Sequence, residues 1–266
     1  MGFLDEILEE LEASTRDAGY LPPPPPRDRP LAPRMEEAIR ARRGGQAMVV
    51  EFKRVSPGYR SSPLPQLSIP AFASMAERSG ATALSCLACE PRFGGSPQDV
   101  AQLASQTHLP VLFKDFVTDF TQVEAARRSG ASAVLLIARL ETERRLRRPL
   151  REIADRARSV GLEVVLELHL PEDVAVARQV PANVYGVNVR DLDTLKMERT
   201  RAHRTLEEAQ RLRPLLGLSG IQSRTDVEWF ERRGTDGFLV GTSVARSADP
   251  TAFLAELKGP ALGSST

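Results

Sequence analysis

The chain has 266 residues, of which 41% are hydrophobic and 27% charged, and its formal net charge is +1. That is enough apolar material for a sizeable core in one large domain or two small ones. Its 36 basic residues are interspersed with 35 acidic ones, which leaves no basic stripe for a nucleic-acid backbone, and no apolar run approaches the ~20 residues of a membrane span.

The opening "MGFLDEILEELE" predicts an amphipathic helix over residues 3–17, with Phe3, Leu4, Ile7, Leu8 and Leu11 on one face and acidic residues on the other. Such a helix needs a surface to pack on. It is acidic where a secretory leader would be basic, and Gly2 is no myristoylation signal, because Glu6 stands where that pattern needs Ser or Thr. A cytoplasmic protein is the expectation. "LPPPPPRDRPLAP" (21–33) then reads as a stiff surface connector, with an SH3-type ligand as the sharper alternative, and "RMEEAIRARR" as a second short helix.

From residue 48 onward a unit repeats: a short apolar, β-branched run, a loop and an amphipathic helical stretch. The runs are "MVVEF" from 48, "TALSCL" from 82, "PVLF" from 110, "SAVLLI" from 132, "EVVLEL" from 163, "VYGVNV" from 184, "LLGLSG" from 215 and "GFLVG" from 237. Their spacing suits a strand with its crossover helix, and their unbroken apolar character suits parallel strands buried on both faces. The predicted fold class is therefore α/β, a single (β/α)8 TIM barrel at residues 48–266 preceded by a helical extension with its polyproline connector at 1–47. An open doubly wound sheet is the alternative. It would want a Gly-rich nucleotide turn after its first strand, where this chain has "EFKRVSPG".

Cys86 and Cys89 form a C-x-x-C pair in "LSCLACEP". With no second pair, they read as small buried hydrophobes rather than redox or metal ligands.

In a barrel of this kind, chemistry gathers where strands end and loops begin. Glu51 and Lys53 close strand one, Lys114 closes strand three, Glu167 lies near the end of strand five, Asn188 near the end of strand six and Ser219 at the end of strand seven. Burying lone charges is costly, so two lysines and two carboxylates at one mouth read as a site, with a purely structural ion-pair network as the alternative. Only Lys53, Lys114, Lys196 and Lys258 are lysines, and the other 32 basic residues are arginines. Arginine keeps its proton, whereas a partly desolvated lysine can exchange one, so Lys53 and Lys114 suggest proton work. "LSGI" (218–221) and "VGTSVAR" (240–246) add small residues at the last two strand ends, where backbone N–H groups and hydroxyls can surround a phosphate.

Together these residues resemble those of the indole-3-glycerol phosphate synthase family. The resemblance runs from about residue 34 onward, through "VEFKRVSP" (50–57), "RFGGSPQDV" (92–100), "LPVLFKDFVTD" (109–119), "EVVLELH" (163–169), "YGVNVRDLDTL" (185–195), "LSGI" and "VGTSVAR". The leading helix also fits a family whose extra N-terminal segment packs over the barrel mouth. The resemblance implies cyclisation of 1-(2-carboxyphenylamino)-1-deoxyribulose 5-phosphate with loss of carbon dioxide and water, by a carbon-carbon lyase of tryptophan biosynthesis that needs no cofactor. It implies Lys114 as the general acid on the ribulose carbonyl, Lys53 as the holder of the substrate carboxylate, Glu167 as base or proton relay, and Glu51 and Asn188 as positioning groups. Ser56, Ser219, Gly220, Gly241, Thr242 and Ser243 match the phosphate site. Phe93, Phe116 and Leu192 match an apolar wall around the aromatic ring, and Arg190 a loop arginine near the mouth.

Three departures accompany the resemblance. Leu218 stands where the family usually has glutamate, "GYRSSP" fills the first loop, and Thr242 replaces a serine. A related phosphate-sugar barrel with altered chemistry and a non-catalytic paralogue that binds a phosphorylated ligand are the other readings. The expected partner is a phosphorylated small molecule, with neither nucleic acid nor membrane, and the expected state a monomer or weak homodimer.

Overall fold

The eight apolar runs become eight parallel strands that close on themselves in sequence order. A computed structural model describes residues 2–17, 19–24, 32–42, 45–55 and 67–259. Two helices come first, α1 (Phe3–Ser14) and α2 (Met35–Arg40). The barrel proper runs β1 (Ala47–Phe52), α3 (Ile69–Arg78), β2 (Ala83–Leu87), α4 (Pro97–Ser105), β3 (Val111–Lys114), α5 (Phe120–Arg128) and β4 (Ala133–Ile137). It continues α6 (Ala138–Thr142), α7 (Leu150–Ser159), β5 (Glu163–Leu168), α8 (Asp173–Ala177), β6 (Val184–Asn188), α9 (Arg199–Glu208), β7 (Leu215–Leu218), α10 (Arg224–Glu231), β8 (Gly237–Val240), α11 (Thr242–Arg246) and α12 (Pro250–Lys258). The open-sheet alternative is excluded by the β1–β8 pairing, in which Met48 lies opposite Phe238 and Val50 opposite Val240.

Local chemistry sets the helix starts. Ser96 and Asp249 each precede a proline and accept a bond from the helix N–H three residues on, Asp99 N at 3.1 Å and Ala252 N at 3.0 Å. A side-chain acceptor there satisfies an orphan donor, and proline at the first helical position has no donor to lose.

Two apolar layers form because strand side chains alternate. Val50, Leu84, Phe113, Val134, Leu136, Val164 and Leu166 meet the outer helices. Val49, Leu112, Leu135, Val165, Leu216 and Leu239 fill the barrel interior, which continues upward into Leu4, Ile7 and Leu11 of α1 and also takes in Met35 and Ile39 of α2. The apolar face predicted for the first helix is thus what it buries.

Helix α2 is tied to the amino end of the strands by a carboxylate. Glu163, the first residue of β5 and 3% exposed, accepts the Met35 N–H and, at 3.4 Å, the Glu36 N–H, while Arg34 approaches its other oxygen at 3.0 Å. A negative charge at a helix N-terminus is stabilising. The connector reading of Pro22–Pro26 lies partly outside the described residues, as does the whole of "GYRSSP". Among the described residues, no helix is long and apolar enough to cross a membrane. Cys86 and Cys89 are free and buried, and burial pushes both thiols up, so neither is poised as a thiolate.

Candidate active site

The interior layer that Val49, Leu112, Leu135, Val165, Leu216 and Leu239 build is followed, two residues further along each strand, by Glu51, Lys114, Ile137, Glu167, Leu218 and Gly241. A step of two returns a strand to the same face, so all six converge on the carboxyl mouth. They line one cavity of about 550 Å³, together with Lys53, Asn188 and the loops above.

Glu51 is the hub of this layer. Its Oε1 lies 2.5 Å from Lys53 Nζ and its Oε2 3.6 Å from Lys114 Nζ, and Lys53 also donates to Thr242 Oγ1 at 3.1 Å. Gly241 makes the Glu51–Lys53 pair possible, since a Cβ there would come within 2.6 Å of Glu51 Oε1 and 2.8 Å of Lys53 Cε. Glu167 forms a second centre: its Oε1 accepts from Asn188 Nδ2 at 3.0 Å and faces His169 Nε2 at 3.2 Å. Asn188 turns its own oxygen to the Arg190 N–H at 2.9 Å. The side chains of Glu51 and Glu167 are 3% and 2% exposed, those of Lys53 and Lys114 12% and 22%.

These surroundings push the two lysines in opposite directions. Burial lowers Lys53, aided by Lys114 and Arg190, and the pull of Glu51 does not make up the difference. Burial opposes the charge on Lys114 as well, but Glu51 and Glu167 together outweigh it and raise its pKa. Burial alone would raise both carboxylates. Lys53 and Lys114 instead hold Glu51 below its ordinary value, and His169, Lys114 and Asn188 hold Glu167 at about 2. Lys114 is therefore a firmly protonated acid beside an ionised base, and Lys53 is the lysine that gives up its proton more readily.

The apolar and phosphate-binding candidates line the same cavity. Phe93 and Phe116 form one wall, their centroids 6.2 Å apart at 38°, with Leu192 also on the lining. Arg190 is tied into its loop by a bond to Leu195 O at 2.9 Å and a bridge to Met197. Ser219, Gly220, Gly241, Thr242 and Ser243 all reach the cavity. Ser219 and Gly220 both have positive φ, 66° and 73°, which ends β7 at Leu218 rather than at the predicted Gly220. Ser243 Oγ donates to Ile221 O at 2.6 Å, so its side chain clips the two strand-end loops together. Ser56 lies outside the described residues.

Sequence reasoning missed several neighbours. His169 stands in the quoted "EVVLELH" but drew no role, although it is fully buried against Glu167. Phe3 from α1 and Arg246 at the end of α11 also line the cavity. The motif "VGTSVAR" carried the signal for Arg246. Phe3 was legible only as part of the apolar face of the first helix, because its partners in the cavity are distant in sequence. Leu218, 2% exposed, gives the end of β7 an apolar wall beside Asn188, and it packs so closely over Gly186 that a Cβ there would meet its Cδ1 at 2.6 Å. Among the described residues, no group of three or more His, Cys, Asp or Glu side chains is arranged to hold a metal ion.

The closed barrel with a lysine–carboxylate cluster at its carboxyl mouth defines the class as a (β/α)8 barrel with its candidate site at the carboxyl ends of the strands. In fold the chain is similar to 3-hexulose-6-phosphate synthase from Salmonella typhimurium, with a TM-score of 0.61 at 15% identity over 80% of this chain and 97% of that one. It is also similar to N-acetylmannosamine-6-phosphate 2-epimerase from Clostridium perfringens, with a TM-score of 0.59 at 12% identity over 83% and 95%. At such identities the likeness is one of fold. Residues 26–257 match the family model described as indole-3-glycerol phosphate synthase. Relatives of that name are 32% identical in Sulfurisphaera tokodaii (83% of this chain, 86% of the relative) and 37% identical in Kineococcus radiotolerans (82% and 77%). Indole-3-glycerol phosphate synthase 2 of Streptomyces coelicolor is 36% identical over 85% of this chain and 86% of its own length. The chain belongs to the indole-3-glycerol phosphate synthase family.

Proposed function

We propose that the protein is a carboxy-lyase of tryptophan biosynthesis that closes the indole ring of 1-(2-carboxyphenylamino)-1-deoxyribulose 5-phosphate. The observation that carries this reading is the Glu51 carboxylate shared between Lys53 and Lys114 beneath an aromatic wall. Lys114 gives its proton to the ribulose carbonyl oxygen as the ring carbon bearing the carboxylate attacks the carbonyl carbon. Its raised pKa suits an acid that must arrive protonated. Lys53 holds the substrate carboxylate until the bond to carbon dioxide breaks and the electron pair returns to the ring. The new hydroxyl then leaves as water with a proton from a lysine, while Glu167, ionised in its buried site, takes the proton whose loss completes the indole. Asn188 orients Glu167, Phe93, Phe116 and Leu192 flank the ring, and Arg190 borders it. Ser219, Gly220, Gly241, Thr242 and Ser243 offer the phosphate site, to which Ser56 is assigned on the family pattern.

In this reading residues 1–47 serve as an extension to a catalytic barrel at 48–266. The protein works in the cytoplasm on a phosphorylated small molecule, without cofactor or nucleic acid, as a monomer or weak homodimer. Incubation with the carboxyphenylamino-deoxyribulose phosphate, followed by indole absorbance or fluorescence, tests the proposal. Appearance of the indole chromophore with stoichiometric carbon dioxide is expected. Tight substrate binding without either product would instead mark a non-catalytic relative.

A further inference from the structure

Between α1 and the proline-rich stretch, the chain turns one aromatic ring inward. Tyr20 is 7% exposed and sits among the side chains between the strands and their outer helices. The turn is pinned to α4, because the preceding Gly19 carbonyl accepts from Gln98 Nε2 at 2.8 Å. At the inner end of the ring the hydroxyl donates to Asp115 Oδ2 at 3.2 Å.

Asp115 is itself buried, 2% exposed, and it is the chain neighbour of both Lys114 and Phe116. Its Oδ1 accepts the Phe116 N–H at 2.9 Å and its Oδ2 also accepts from Gln122 Nε2 at 3.1 Å. Gln122, fully buried, in turn accepts the Thr118 N–H at 2.8 Å and donates to Phe116 O at 2.9 Å. The segment from the end of β3 to the first turn of α5 thus hangs on one buried carboxylate. A carboxylate in such a place holds a fixed orientation only while its donors are in place. One of those donors comes from the N-terminal segment, 95 residues away. A ring needed only to fill the apolar slot would serve as well without its oxygen, so what the hydroxyl adds is direction.

We propose that Tyr20 is a positioning residue: through Asp115 its hydroxyl sets the end of β3 so that Lys114 and Phe116 meet the substrate, which ties docking of the N-terminal segment to competence of the site. The inference rests on the roles assigned above to Lys114 and Phe116.

Tyr20→Phe tests it, since only the oxygen is lost. One hydrogen bond to a charged group is worth a factor of about ten or more, so kcat is expected to fall about tenfold. KM should stay within about twofold, because the groups that hold phosphate and carboxylate are untouched. A lowered melting temperature with unchanged kcat would make Tyr20 a mere anchor and overturn the proposal. A second readout does not depend on turnover. With four lysines in the chain, the side-chain resonances of ¹³C-lysine-labelled protein are few enough to assign, Lys114 by its disappearance in Lys114→Arg. The Lys114 resonance is expected to shift in Tyr20→Phe while those of Lys196 and Lys258 stay in place. An unmoved Lys114 resonance overturns the inference even if the wild-type protein proves inactive on the proposed substrate, whereas wild-type inactivity with a shifted resonance defeats only the functional reading and leaves the coupling standing.

Discussion

Glu163 and Glu167 lie four residues apart on β5, are both almost fully buried, and share one face of the strand, yet they meet different surroundings. Glu163, at the amino end, spends its charge on the first N–H groups of α2 and on Arg34, and burial leaves its pKa above the ordinary value. Glu167, at the carboxyl end, faces a cavity, with Lys114, His169 and Asn188 holding it at about 2. Fixed backbone donors make a carboxylate into a clamp. Side-chain donors around open space leave the second oxygen of Glu167 without a hydrogen-bond partner among the described residues, and under the proposed function the difference is between stability at the bottom of the barrel and chemistry at the top.

The sharpest way to break that contrast is at the top. Lys114→Arg keeps the positive charge beside Glu51 but cannot release a proton, so kcat is expected to fall ~100- to 10,000-fold while the melting temperature barely moves. Steady-state kinetics beside a thermal melt decide it, and near-normal turnover would remove Lys114 from the acid role.

His169→Leu acts one step back. It deletes the hydrogen bond and charge of His169, which do most to hold Glu167 down against its burial, so the carboxyl's pKa rises. A base whose pKa rises is protonated at higher pH, and the acid limb of the rate profile should therefore move upward. An unmoved acid limb would show that Glu167 is not the base that limb reports.

At the bottom the signature reverses. Glu163→Gln leaves the α2 donors with a neutral acceptor and Arg34 with Glu37 as its remaining partner, so the effect is expected on stability in urea unfolding, with kcat unchanged within about twofold. A rate loss larger than the stability loss would mean that the two ends are coupled.

Leu218→Glu should have the smallest effect. A carboxylate added to the cavity favours the protonated lysines, so the basic limb, set by Lys53 with its lowered pKa, should shift upward by about half a pH unit, the two profiles converging at lower pH. Superimposable profiles would show that position 218 does not act on the lysines.

The strands were legible because a parallel strand buried on both faces needs an unbroken apolar run, and β5 begins and ends where "EVVLEL" does. Helix ends were less so. The first helix was expected to reach residue 17 but stops at Ser14, where Asp17 turns its side chain to the Gly19 N–H and offers the backbone an alternative to helix. Likewise β7 stops short because Ser219 leaves extended geometry. Glu51, Lys53, Lys114, Glu167 and Asn188 could be found because strand periodicity places them. Tyr20 could not, nor could the entry of Phe3 into the cavity, since no local pattern encodes contacts made across most of a barrel.

The ion pairs along α1 have one more consequence. Its acidic side engages Arg92 through Glu6 and Glu10, Arg145 through Asp5, and Arg147 through Glu12 at 2.9 Å. The rim arginines are thereby neutralised locally, while the cavity lining carries Lys53, Lys114, Arg190 and Arg246 beside the carboxylates of Glu51, Asp115 and Glu167. Low-dielectric walls focus such an imbalance, so the electrostatic potential deepens from the rim toward the floor. An anion approaching this mouth is steered inward, past rim arginines already paired with α1.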